Sequence, residues 1–276
     1  MTGDDLAAVA RELDAAWATG RPLAPFSGRV AGFDAAAGYA VQRHRFLQRQ
    51  GTGVRRVGRK IGFTNRSIWP LYGVFQPIWG AMDDRSVQQL ADDRGMGTGT
   101  LSLRGLFEPR IEPEIVLHLA SAPQPGEGPA QLLQRVDRVA HGFEIVQSPY
   151  PGWKFGAADA IAAGSLHGGL MLGPAVAMAA LAADPLAALS AFSITLSCDG
   201  QLRAQGVGAN VLDGPLHALA HLVQVLADGP ADDRLQPGEW VSTGTLTDAL
   251  PIQPGQVWTT ALQGVALPGL KLTLAG

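Results

Sequence analysis

Three glutamates set in two apolar runs constrain this chain more than any other feature. Arg110-Ile111-Glu112-Pro113-Glu114-Ile115-Val116-Leu117 places two of them two residues apart at the head of an apolar run. Thirty residues beyond Glu114, His141-Gly142-Phe143-Glu144-Ile145-Val146 carries the third. In a strand, residues i and i+2 share a face, so Glu112 and Glu114 project together. Three carboxylates gathered at one site repel each other unless a cation sits between them. All-oxygen ligation suits a hard divalent ion, Mg2+ or Mn2+ before Zn2+. The alternative is that Glu112 and Glu114 mark a solvated strand edge.

The pattern changes once along the chain. Residues 4–19 and 34–50 carry apolar side chains at helical spacing, with Asp4 and Asp34 in N-cap position. From Val54 onward, short apolar runs alternate with glycine and proline. These predict strands over 56–61, 111–119, 136–146, 168–172, 193–198, 202–207, 240–245 and 256–262. Further helices are predicted over 129–135, 157–163, 181–191 and 215–226. Cys198-Asp199-Gly200-Gln201 predicts a hairpin, because Asp-Gly supplies the positive φ of a primed turn. The division is a helical N-terminal part, residues 1–53, and a β-rich body, residues 54–276.

Composition excludes several classes. With 21 basic and 24 acidic residues the net charge is −3, and no basic stripe invites nucleic acid. No apolar stretch is long enough to span a membrane. One cysteine, Cys198, rules out an internal disulfide framework and fits a reducing cytoplasm. Met-Thr-Gly-Asp-Asp is acidic where a signal peptide is basic. A composition 46% hydrophobic and only 16% charged predicts a homo-oligomer.

Other positions are candidates for chemistry. Lys60, in Gly58-Arg59-Lys60-Ile61-Gly62-Phe63-Thr64-Asn65, is one of three lysines and stands between glycines. It suits a carboxylate anchor or an acid–base role. Thr64 and Asn65 read as helix caps or ligands. His167 stands before Gly168-Gly169, which let a ligand or backbone approach closely. His141 reads as a packed histidine or as a support for the metal site. Ser242-Thr243-Gly244-Thr245 reads as a pocket mouth or a plain strand end. Trp69, Trp79 and Trp153 wall a pocket or pack the core.

These residues carry a resemblance. Gly58–Asn65, Gln76-Pro77-Ile78-Trp79-Gly80, the Glu112/Glu114/Glu144 pattern, Trp240-Val241-Ser242-Thr243-Gly244-Thr245 and Pro254-Gly255-Gln256-Val257 occur in the order seen in the fumarylacetoacetate hydrolase superfamily. The chain resembles its 2-keto-4-pentenoate hydratase and 4-oxalocrotonate decarboxylase branch from about residue 30 to the end. The resemblance implies an α+β fold, a mixed β-sandwich roll with a small N-terminal helical part. It implies Mg2+ or Mn2+ held by Glu112, Glu114 and Glu144, with Lys60 beside the enol of a small 2-oxo acid. Thr64, Gln76, Trp79 and Thr243 would touch the substrate.

The chain departs from the branch where an acidic residue, an amide and a serine are expected. Ile78, Gln147 and Ala162-Ala163-Gly164-Ser165-Leu166 stand there instead. His167 would then take over proton transfer, and His167→Asn would collapse kcat with metal affinity unchanged. The first reading is a lyase that adds water to a 2-hydroxy-2,4-dienoate. The second is decarboxylation, tautomerisation or C–C hydrolysis through the same enolate. Apolar Ile78, Trp79 and Trp69 argue against a second substrate carboxylate and so against the decarboxylase. The third is a non-catalytic partner subunit.

Overall fold

The computed structural model describes residues 1–66, 69–72 and 75–276, with residues 71 and 72 by backbone alone. Helix α1 (Gly3–Thr19) starts at Thr2 rather than Asp4: the Thr2 hydroxyl accepts from the Asp5 N–H, and the Asp5 carboxylate accepts from the Thr2 N–H. That capping box leaves Asp4 as an acid in the first turn, where the helix dipole favours it. Helix α2 (Ala35–Gln50) is capped by Asp34 as expected. The order continues β1 (Arg56–Gly62), α3 (Trp69–Tyr72), β2 (Ile78–Asp83), β3 (Val87–Gln89), β4 (Ala91–Asp92), β5 (Gly97–Ser102) and β6 (Arg110–Leu119). Then come α4 (Pro129–Leu133), β7 (Val136–Val146), α5 (Ala157–Ala162), β8 (His167–Leu172), β9 (Val176–Ala177), α6 (Pro185–Ala191), β10 (Ser193–Cys198) and β11 (Gln201–Val207). Helix α7 (Pro215–Ala227), β12 (Trp240–Thr245), β13 (Leu250–Pro251), β14 (Val257–Gln263) and β15 (Leu270–Ala275) complete it.

Two mixed sheets carry these strands, so the fold is α+β. The larger runs β2-β1-β12-β6-β7-β8-β3, with β13 beside β6 and β9 beside β7. The smaller runs β11-β10-β14-β15-β5-β4. Asp199 and Gly200 both take positive φ in the β10–β11 hairpin, as the Asp-Gly pair requires. Odd-numbered Ile111, Phe143 and Ile145 of the larger sheet share one cluster with Leu196, Trp258 and Leu272 of the smaller. The even-numbered glutamates of β6 and β7 therefore project from the other face. Helices α1 and α2 pack with α5 through Val9, Leu13, Val41 and Ile161. Gly38 permits the close approach: a Cβ there would lie 2.6 Å from the Ala158 carbonyl oxygen. Buried Asp159 ties the interhelical linker to α5 by accepting from Phe26 N–H, Ser27 N–H and the Ser27 hydroxyl.

The predicted helix over 181–191 begins later, at Pro185, because Asp184 caps it and Pro185 is pre-set for the first helical position. Strands β2, β5 and β15 escape the periodicity reading. β5 reads Gly-Thr-Gly-Thr-Leu-Ser, and parallel pairing with β15 defines it. Among the described residues, no helix is long and apolar enough to cross a membrane.

Candidate active site

The β6–β7 ladder assembles the acidic cluster. Glu112 and Glu144 are direct cross-strand partners, and Glu114 stands opposite Gly142. One carboxylate oxygen from each glutamate lies within 4.8 Å of the other two. Glu114 and Glu144 are fully buried, while Glu112 opens on one side to a cavity of about 280 Å3. β12 carries one residue too many against β6, pairing Ser242 with Val116 but Thr245 with Glu114. That bulge aims the Ser242 hydroxyl and the Gly244 N–H at Glu114 Oε2, at 2.5 and 2.9 Å. Gly244 takes φ +110 there, and a Cβ on it would fall 1.9 Å from Thr64 Oγ1. Only glycine fits both demands.

Lys60 enters from β1, in register with Ser242 of β12 and Gly80 of β2. It is 3% exposed. Its ammonium donates to the Ser165 carbonyl at 3.0 Å and lies 3.2 Å from Glu144 Oε2. Burial alone would pull its pKa down, but Glu144, Glu112 and Glu114 together raise it, so Lys60 is a fixed cation. Each pair of carboxylates at this separation repels by roughly 3.5 kcal/mol at an effective dielectric of about 20. One lysine among three ionised carboxylates leaves a net charge of −2 in a buried site. Burial therefore pushes Glu112 up to about 7 and Glu114 well above the usual carboxylate range. Glu144 goes down, because Lys60 and His167 outweigh its burial.

The donor set fits a divalent cation on the evidence of its own unfinished bonds. Glu114 Oε1 is buried with no hydrogen-bond partner among the described residues, and Glu144 Oε2 has only the ion pair to Lys60. All donors are hard oxygens, as Mg2+ and Mn2+ prefer.

No protein-family model matches the chain. A 2-keto-4-pentenoate hydratase of Paraburkholderia xenovorans is 30% identical over 269 residues, covering 96% of this chain and 94% of that protein. The chain belongs to the 2-keto-4-pentenoate hydratase and 4-oxalocrotonate decarboxylase branch. A 4-oxalocrotonate decarboxylase of a Pseudomonas species is 28% identical over 247 residues, 90% of each chain. The solved 4-oxalocrotonate decarboxylase from Pseudomonas putida G7, complexed with magnesium and adipate, superposes with a TM-score of 0.89 at 23% identity, over 99% of this chain and 98% of that one.

Within this branch member, the residues singled out from sequence divide between the cavity and its surroundings. Lys60, Thr64 and Glu112 line the cavity, and so does Ile78. Trp79 does not. It follows Ile78 in a strand and so faces the other way, stacked on Tyr39 with Arg59 over its ring. Gln76 is exposed and away from the cavity wall. Thr243 is buried and spends its hydroxyl on the Ile115 carbonyl, while its neighbour Thr245 lines the cavity. Thr64 packs its hydroxyl side on Gly244, and its carbonyl accepts from Leu212 N–H.

His167 stands behind the cluster rather than on the cavity. Its Nδ1 meets Glu144 Oε1 at 2.8 Å and its Nε2 meets Ser86 Oγ at 3.0 Å. With both nitrogens engaged, the imidazole orients Glu144 and does not face a substrate. His141 is packed and also supports the site. Burial holds it near a pKa of about 4, so the ring is neutral. It donates from Nδ1 to the Glu114 carbonyl, and Nε2 accepts from Thr260. Sequence reasoning missed Arg110, Thr247 and Asp248 on the cavity wall. The parity of Arg110 with Glu112 was its one visible signal. Of the three apolar residues set against a second substrate carboxylate, only Ile78 lines the cavity, beside Arg110; Trp79 faces away and Trp69 is off the wall with its indole N–H on the Phe63 carbonyl. A larger cleft of about 830 Å3, between α2 and the segment before β12, contains none of the three glutamates.

The raised carboxyls set a pH dependence. Between the ordinary glutamate value of 4.5 and about 7, the metal-free fold holds a proton on Glu112 that the unfolded chain has released. More protons bound to the native state means that stability falls as pH rises through this window. Glu144, already ionised in both states there, does not oppose it. Thermal unfolding of the metal-free chain is expected at lower temperature at pH 8 than at pH 5.5, with the difference removed by saturating Mg2+. Each proton displaced makes the apparent affinity for the cation rise about tenfold per pH unit below about pH 7. A pH-independent dissociation constant by titration calorimetry would contradict a proton held on Glu112.

Proposed function

We propose that this chain is a metal-dependent hydro-lyase that adds water to a 2-hydroxy-2,4-dienoate and gives a 4-hydroxy-2-oxo acid. The carrying observation is the three-glutamate cluster around the Lys60 ammonium at one small cavity. The hydratase relatives of near-full length support the reading. The two packed sheets are read as the superfamily's mixed β-sandwich roll. Glu112, Glu114 and Glu144 would hold Mg2+ or Mn2+. When bound, that ion supplies positive charge where a 2-oxo acid develops its enolate.

The chain's own residues do the rest. Ser242 and Gly244 hold one oxygen of Glu114, and His167 holds one of Glu144, so the other oxygens stay aimed inward. Lys60 is held by the Ser165 carbonyl and Glu144; its ammonium would give a proton to the dienol carbon and take back the one the enol hydroxyl loses, so it ends as the cation its surroundings enforce. Ile78, Val146 and Leu166 exclude bulk water from the diene. Thr64 offers a hydroxyl that orients the water that adds, while those of Thr245 and Thr247 donate to the Thr247 and Asp248 carbonyls. A second outcome, decarboxylation of a 2-oxo-enedioate, would use the same groups, and Arg110 on the wall is the observation that favours it.

Proton NMR of 2-hydroxypenta-2,4-dienoate with the protein and Mg2+ in D2O tests the proposal. A carbinol signal of 4-hydroxy-2-oxopentanoate that EDTA abolishes is expected. Deuterium at C3 without water addition would replace the hydratase reading by another enolate outcome.

The position of His167 reverses the result expected of His167→Asn. Loss of the imidazole frees Glu144, so Mg2+ affinity should fall by roughly 10- to 100-fold. The value of kcat at saturating Mg2+ should stay within a few fold. Calorimetric Mg2+ titration beside steady-state rates at raised Mg2+ separates the two. Collapse of kcat with unchanged metal affinity would return His167 to proton transfer.

A further inference from the structure

We propose that Asp248 is a catalytic residue, the general base that takes a proton from the water that adds. This deepens the hydro-lyase reading and rests on it. Addition needs a group on the cavity wall that can accept a proton. Among the described residues there, the side chains that ionise are Lys60, Arg110, Glu112 and Asp248. Arg110 does not give up its proton. Lys60 is a cation engaged with the Ser165 carbonyl and Glu144, and Glu112 belongs to the cluster of three glutamates. That leaves the Asp248 carboxylate, which has no ion-pair or hydrogen-bond partner among the described residues.

The backbone builds this position. β12 and β13 both pair with β6, Thr245 opposite Glu114 and Leu250 opposite Ile111. Five residue steps on one side therefore span three on the other, and the two surplus residues arch out of the ladder. Leu246 pins the arch: its side chain is fully buried, its N–H donates to the Pro113 carbonyl at 2.9 Å, and its carbonyl accepts from Asn210 Nδ2 at 2.9 Å. Within the arch, the Thr245 hydroxyl donates to the Thr247 carbonyl at 2.8 Å and the Thr247 hydroxyl to the Asp248 carbonyl at 3.1 Å. Asp248 is thus held at the exposed end of the wall, where water reaches the cavity. After ketonisation the substrate is a 2-oxo-3-enoate. Asp248 takes one proton from the water, the water oxygen bonds to C4, and the C3=C4 electron pair moves toward C3. Asp248 then gives that proton to C3, which yields the 4-hydroxy-2-oxo acid and restores the carboxylate. Lys60 serves ketonisation, and Asp248 serves addition.

Two readouts by proton NMR, on the full chain with Mg2+ in D2O, separate the two steps. One is the carbinol signal formed from 2-hydroxypenta-2,4-dienoate. The other is deuterium entry at C3 of 2-oxopentanoate, which has no alkene to hydrate and reports only the enolisation that Lys60 serves. Asp248→Asn keeps the side-chain size at an exposed position. It is expected to slow carbinol formation by roughly 100-fold or more, the scale of a lost general base, while deuterium exchange stays within a few fold. Asp248→Glu keeps a carboxylate and should recover part of the hydration. Unchanged hydration by Asp248→Asn overturns the inference. An equal fall in both readouts overturns it too, since Asp248 would then act on binding or packing. If the unaltered chain forms no carbinol, the hydro-lyase reading itself falls and the inference with it.

Discussion

Glu114→Gln should lower kcat/KM by about a thousandfold at saturating Mg2+, the scale of losing one pre-aimed electrostatic group in a buried site. The side chain keeps its size, so the loss is one of chemistry. Glu114 Oε2 accepts from Ser242 and Gly244, while Oε1 is the buried oxygen without a partner. An amide must either set its NH2 against those two donors or turn it toward the cation. Both choices weaken the site. The metal-free protein should respond in the opposite sense. Burial already favours the neutral form of the Glu114 carboxyl, so a neutral amide costs that state little, and its unfolding temperature should be unchanged or higher. Steady-state kinetics and a thermal melt with EDTA read the two effects. Full turnover in the variant would remove Glu114 from the proposed ligand set.

Lys60→Met carries the second large effect, again with two signs. The ammonium is the one lysine on the cavity wall and touches Glu144 at 3.2 Å. Removing one member of a buried ion pair typically costs 3–5 kcal/mol, because the other charge is left without compensation. For a chain of this size that is a fall of about 10 °C in Tm of the metal-free form at pH 8. The fall should shrink at pH 5.5, where protons take over part of the neutralisation. Mg2+ affinity should rise, since a cation beside the ion is gone. Turnover should collapse even so, because Arg110, the other cation on the wall, does not give up a proton. Calorimetry and rates on one preparation check this, and weaker Mg2+ binding with normal turnover would refute the role.

Much of the architecture was readable one element at a time. Runs such as Ile115-Val116-Leu117 and Val139-Ala140 announce buried strands, and the Asp-Gly pair at 199–200 announces its hairpin. Other elements carried no such mark. Nothing in Gly-Thr-Gly-Thr-Leu-Ser distinguishes β5 from a loop until β15 pairs with it, and Gly97 and Gly99 are small because Leu270 and Leu90 lie over them. The α1 cap moved to Thr2 because a hydroxyl–carboxylate exchange there satisfies two donors, the N–H groups of Thr2 and Asp5.

The acidic cluster shows the same division more sharply. Residue spacing by itself determined that Glu112 and Glu114 share a face, that Ile78 and Trp79 do not, and that three carboxylates need a cation. Only the tertiary structure decided which faces meet. The β6–β7 register set Glu112 beside Glu144, the β12 bulge brought two donors to Glu114, and the loop at Trp153, some forty residues from Arg110, made that arginine part of the cavity. It also placed His167 behind Glu144 and turned Trp79 away. Local periodicity records the side from which a side chain leaves its own strand. What stands opposite depends on pairings between distant segments, and no short stretch of chain encodes those.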